Sequence, residues 1–199
     1  ILQSMGQAGK DDQHMRNAPV SEVIREAAEP HSDRGKEIIF ELNLKSKEDI
    51  SQPLIQRRPE IIHGLRNMIQ NAIDFANKKV WIVLSWSETD IKITINDDGP
   101  GFPLQMISRI GDPFVSYRKA SSPRLKQIDY QGMGLGLFIA KTLLERTNAK
   151  LSFSNGGAKE IENSKNVTQI GAIVEIVWLR SDIEAQNNFL GENENLQVF

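Results

Sequence analysis

Two periods of apolar residues alternate along this chain. In "PEIIHGLRNMIQNAIDFAN", residues 59–77, Ile61, Leu65, Met68 and Ala72 fall on one arc at about 100° per residue, with Ile62, Ile69 and Ile73 at its edge. That spacing predicts the strongest helix of the chain, opened by Pro59 at a first-turn position where a missing N–H costs little. The period then changes to two. "VWIVLSWS" and "DIKITIND" alternate as half-buried strands do and read as a hairpin turning near Glu88 to Asp90.

Weaker patterns fill in the rest. "SEVIREAA" predicts a short helix with Ser21 as its cap and Pro30 just past its end, and "KEIIFELNL" a first strand. A short helix is expected near 103–110, then a polar stretch to about 131. "GLGLFIAKTLLER" reads as a helix entered through glycines. "KLSFSN" and "GAIVEIVWL" read as closing strands on either side of a polar loop at 156–169. Strands adjacent in sequence can pair antiparallel while helices separate the others. The expected fold class is therefore α+β, a two-layer sandwich of a mixed β-sheet with helices on one face. Residues 1–19 read as a helix remnant and linker, 20–180 as the domain, and 181–199 as a polar C-terminal tail.

Composition narrows the classes. The 199 residues are 39% hydrophobic and 25% charged with a formal net charge of −2, which fits one soluble domain with appendages. That charge balance offers no footprint for nucleic acid. Without cysteine there is no disulfide framework and no thiolate metal site. No apolar run approaches the roughly 20 residues of a membrane helix. His14, His31 and His63 have no second ligand at a metal-like spacing. An N-terminal Ile in place of Met suggests a fragment.

Four clusters carry candidate chemistry. On the helix at 59–77, His63, Asn67, Asn71 and Asp74 share a polar arc roughly 80° wide. Such an arc can be a plain solvated face. Yet two asparagines one turn apart cost helix propensity, and an amide oxygen suits Mg²⁺. In "GMGLGLFIAK", Gly132, Gly134 and Gly136 precede a helix N-terminus, where backbone amides can approach phosphates. The spacing is that of neither a dinucleotide fingerprint nor a P-loop. The stretch 111–131 has the length of a lid and brings Phe114, Arg118 and Lys119; a solvated insertion is the other reading. Last, "DDGPGFP", residues 97–103, has turn composition. At the end of a strand, however, Asp97 can accept from an amino group while Gly99 and Gly101 leave room for a flat ring. Taken together, the four clusters describe a purine nucleotide site.

These residues also carry a family resemblance. "HGLRNMIQNAIDFA" resembles the N box of the GHKL ATPase superfamily, "DDGPGF" its first glycine box, "DPF" its aromatic box and "GMGLGL" its second glycine box, with "IGAIVEI" at the last motif. The match runs from about residue 20 to 180 and is that of the catalytic ATP-binding domain of a sensor histidine kinase. The flanking "MGQAGKDDQHMRNAPVSEVIREAAEPHSDRGKEI" resembles the redox-responsive RegB/PrrB type. The resemblance implies a Bergerat-type fold, ATP and Mg²⁺. It implies Asp97 at the adenine amino group, Gly99 and Gly101 beside the base, Phe75 near the ring and Asn71 on Mg²⁺ with Asn67 close by. Gly132, Gly134 and Gly136, with the amides of Leu135 and Leu137, would wrap the phosphates; Phe114, Arg118 and Lys119 belong to the lid. Asn67 and His63 are the candidate catalytic groups.

Two positions depart from the pattern. Asp74 stands where many such kinases have Lys or Arg, a charge that has to be offset, with the lid as one source, and Ala172 replaces a common Thr. The implied partners are a dimerisation and histidine phosphotransfer domain of the same kinase and, through the full-length protein, a response regulator, with no nucleic acid and no direct membrane contact. The full-length protein would be a homodimer and this fragment a monomer, the cytoplasmic part of an inner-membrane-anchored bacterial kinase. Two alternatives stay open: a GHKL-type ATP hydrolase, which would need a Glu base where Asn67 stands, and a nucleotide-binding regulatory module without transfer activity.

Overall fold

The computed structural model describes residues 16–42, 50–105, 107–110, 133–156 and 171–185. Its elements in chain order are β1 (Asn17–Pro19), α1 (Val20–Ala28), a 3₁₀ turn (Glu29–His31), β2 (Glu37–Leu42), β3 (Leu54–Gln56) and α2 (Pro59–Phe75). There follow β4 (Lys79–Trp86), β5 (Asp90–Asp97), a second 3₁₀ turn (Ile107–Arg109), α3 (Met133–Glu145), β6 (Lys150–Asn155), β7 (Ala172–Leu179) and α4 (Arg180–Ile183).

The main sheet runs β2-β4-β5-β7-β6. Only β2 and β4 pair in parallel; the other neighbours are antiparallel, which makes the sheet mixed as expected. A parallel pair cannot be closed by a tight turn, and α2 supplies the crossover between β2 and β4. The cross-strand row Val80, Asp97 and the rows Ile82–Ile95–Val174 and Leu84–Ile93–Ile176 put one apolar face toward the helices. Against it pack Ile61, Leu65, Met68, Ile69 and Ile73 of α2, each 2% exposed or less. Helix α2 lies between α1 and α3, so its polar arc emerges along the boundary with α3.

Several local expectations change. Ser21 does not cap α1; Pro19 holds that position, and the Ser21 hydroxyl donates to Gln52 Oε1 at 3.2 Å. The helix expected near 103–110 is only the 3₁₀ turn at 107–109. Residues 17–19, read as linker, pair with 54–56 as a separate two-stranded sheet. Residues 181–183, read as the start of a tail, form α4 together with Arg180 and bury Ile183. Short segments like these have no period to read, and only the partner strand or core reveals them. The expected division at 20 and 180 therefore falls a few residues inside the packed unit.

Candidate functional site

Asp97 ends β5 at 2% exposure, a costly place for a carboxylate. Its Oδ1 accepts the N–H of Gly99 at 2.8 Å and that of Ala172 at 3.3 Å. Among the described residues, Oδ2 has no hydrogen-bond partner. Burial pushes this carboxyl up to about 6, against the pull of the two backbone N–H groups, and the neighbouring Asp98 charge adds to the rise. At Asp98 burial acts in the same direction, but the N–H groups of Lys78 and Lys79 outweigh it and the net shift is downward. Asp98 thus ties β5 to the start of β4. Asp97 faces a cleft.

That cleft encloses about 390 Å³, its open mouth included. Among the described residues Asp97 is its one charged lining group, set among Met68, Ala72, Phe75, Ile95, Leu137 and Val174, with Asn71 at one side. The backbone is close-fitted around the carboxylate. A Cβ on Gly99 would overlap the Phe75 carbonyl, and one on Gly171 would overlap the Asp97 carbonyl. Gly101 has φ of +78°, a left-handed turn that favours glycine. Beyond it Asn155 clamps Phe102, accepting its N–H at 2.6 Å and donating to its carbonyl at 2.7 Å. Gly171 and Asn155 were not among the expected site residues. "IGAIVEI" held the only signal for the first, and nothing local marked the second.

On α2, the Asn71 side chain donates through Nδ2 to the Asn67 carbonyl at 2.7 Å, which fixes the amide and commits its nitrogen, not Oδ1. Asn67 and Asn71 are half-buried, while His63 and Asp74 are exposed. The first turn of α3 comes to this side chain: a Cβ on Gly136 would lie 3.3 Å from Asn71 Nδ2. Gly134 and Leu135 also lie in that first turn, and the Leu135 side chain is 69% exposed. Leu137 is one turn in, where the helix itself takes up the N–H; its side chain, 3% exposed, lines the cleft. Gly132, Phe114, Arg118 and Lys119 lie outside the described residues. Among the described residues, Asp74 pairs with Arg34, on the loop before β2, at 2.7 Å.

Comparison with known proteins turns this geometry into a family. Residues 56–182 match the model for the histidine kinase-, DNA gyrase B- and HSP90-like ATPases. This chain belongs to that ATPase family. It is 52% identical over all 199 residues to the sensor histidine kinase RegB of Cereibacter sphaeroides, and spans 43% of that protein's length. Among solved structures it resembles the mycobacterial sensor histidine kinase MprB, with a TM-score of 0.56 and 21% identity over 82% of this chain and 97% of that one. The catalytic domain of the histidine kinase ThkA gives a TM-score of 0.58 at 20% identity, covering 82% and 95%. The fold is that of histidine kinase catalytic domains, and ATP is the ligand the family handles. Among the described residues, no helix is long and apolar enough to cross a membrane.

Proposed function

We propose that this chain is the ATP-binding catalytic domain of a two-component sensor kinase, and that it presents the γ-phosphoryl group of Mg–ATP to a histidine on another domain. The observation that carries the reading is Asp97: a buried carboxylate, fixed through Oδ1, whose Oδ2, without a partner among the described residues, can accept an amino hydrogen from a flat base in an apolar cleft. Gly99 and Gly101 keep that approach open and Phe75 borders the ring. Leu135, Gly136 and Gly134 offer the first turn of α3 to the phosphates. Gly132, Phe114, Arg118 and Lys119 complete the cleft in this reading. In this reading residues 1–19 derive from the dimerisation helix and linker, with 17–19 packed onto the catalytic unit as β1, and 181–199 belong to the tail, whose first residues pack back onto that unit.

The side chains present suit Mg²⁺. Asn71 Oδ1 is a hard oxygen donor on an amide whose Nδ2 is engaged by Asn67 O. Among the described residues no group of three His, Asp or Glu could hold a metal, so Asn71 would share the ion with phosphate oxygens and water. There the ion would neutralise phosphate charge. Transfer makes a P–N bond at the incoming histidine as the bond from the γ-phosphorus to ADP breaks. A neutral imidazole attacks through its unprotonated nitrogen, so no base is needed to free that lone pair. An amide at Asn67 is adequate for this; hydrolysis calls for a group that activates water. On this arc the exposed His63 could serve as such a base, whereas the Asp74 carboxylate is paired with Arg34.

The partners follow from this reading: a dimerisation and phosphoacceptor domain of the same kinase, a response regulator beyond it, and a cytoplasmic location under a membrane anchor. Incubated with labelled Mg–ATP, the chain alone should release phosphate barely above background and stay unlabelled. Adding the separate phosphoacceptor domain should yield acid-labile, base-stable phosphate on that domain, and Asn71→Ala should abolish it. Steady turnover by the chain alone, with the added domain unlabelled, would replace the kinase reading with the hydrolase.

A further inference from the structure

The polar face of α2 carries a charge of the wrong sign for a polyanion. Asp74 lies about one helical turn beyond Asn71 on the same polar arc of α2 and is exposed, so a phosphate tail that shares an ion with Asn71 would pass near it. Left uncompensated, it would repel the phosphate tail. Its partner Arg34 comes from a different element, the loop joining the first 3₁₀ turn to β2, with Nη2 at 2.7 Å from Asp74 Oδ1.

This loop is fastened on both sides of Arg34. Before it, the N–H of Ser32 bonds to Glu29 O at 3.2 Å, and the Arg34 N–H to His31 O at 3.3 Å. After it, Lys36 Nζ bonds to the carbonyls of Ala76 at 2.8 Å and Asn77 at 2.6 Å, past the end of α2, and Glu37 N–H bonds to Lys78 O at 2.9 Å. Exposures of 41% and 38% for the two side chains make this a surface ion pair, a type that contributes little to stability by itself. What the arrangement does accomplish is to hold a guanidinium in place. A guanidinium has more N–H donors than one carboxylate can accept, so the paired Arg34 still presents donors to solvent.

We propose that Arg34, positioned by Asp74, is a binding residue for the phosphate tail of the nucleotide. The cation for this site is supplied from the loop, and the acid on the helix serves as its anchor. This rests on the nucleotide reading of the cleft, and the test separates the two. Mg–ATP binding to the 199-residue chain is measured by calorimetry, and adenosine binding by chemical-shift titration. Arg34→Gln should weaken Mg–ATP roughly tenfold, as loss of a charge-assisted bond does, and leave adenosine within about twofold. Arg34→Lys should keep ATP within about threefold of the parent, and the salt dependence of ATP binding should flatten in Arg34→Gln. Unchanged ATP affinity in Arg34→Gln overturns the proposal. So does an equal loss of ATP and adenosine, the mark of a merely structural role. A parent chain that binds neither ligand refutes the nucleotide reading, and Arg34's role with it.

Discussion

Asp97 and Asp98 are neighbours of the same chemistry in opposite electrostatic settings. Burial raises the first to about 6, while backbone N–H groups bring the second down. An adenine amino group needs the ionised form of Asp97 as acceptor. ATP affinity should accordingly fall roughly tenfold between pH 7 and pH 5 as Asp97 gains its proton, measured by calorimetry across that range. Asp97→Asn should weaken ATP by about 2 kcal/mol or more and flatten the pH dependence. Stability moves the other way. With its pKa raised in the folded state, Asp97 contributes stability that is full below its unfolded value of 3.8 and is lost as pH rises through about 6. The Asn variant should therefore be at least as stable as the parent at pH 8, by urea unfolding. A variant that binds ATP as before would remove Asp97 from the base contact.

Among the elements, the contact between α2 and α3 matters most for the site, since one helix carries Asn71 and the other the glycine turn. The two approach closely at Gly64, where an added Cβ would lie 2.6 Å from Leu144 Cγ. Leu144 is wholly buried and cannot move aside freely. Gly64→Ala should thus cost about 1–3 kcal/mol in urea unfolding and weaken ATP binding without touching the cleft. An unchanged midpoint would mean that the helices have slack there.

At the scale of the whole molecule, two short segments distant in sequence, 17–19 and 183–185, close the described unit. Strand β1 pairs with β3, Ile55 of β3 bridges to Glu184, and the Ala185 N–H bonds to Leu54 O at 2.8 Å. Ala18 at 3% exposure and Ile183 at 1% are buried by this arrangement. A chain trimmed to residues 20–180 loses both, and its unfolding free energy should drop by about 2–4 kcal/mol relative to the full chain. Equal stability would show these segments to be dispensable.

What could be read from the sequence was whatever repeats or clusters locally. The α2 core face, the β4–β5 hairpin and the asparagine arc follow from spacing along one element, and the fold class follows from their order. "DDGPGF" and "GMGLGL" marked the two backbones that border the cleft. Tertiary structure alone decided which distant groups complete them. The Ala172 N–H reaches Asp97 across 75 residues of chain, Asn155 reaches Phe102 across 53, and Arg34 reaches Asp74 across two strands and a helix. Such contacts leave no period in the sequence, because each depends on a sheet order that places β7 beside β5 and a loop over the end of α2. Local chemistry sets the turns and faces, while long-range packing determines which charge answers which.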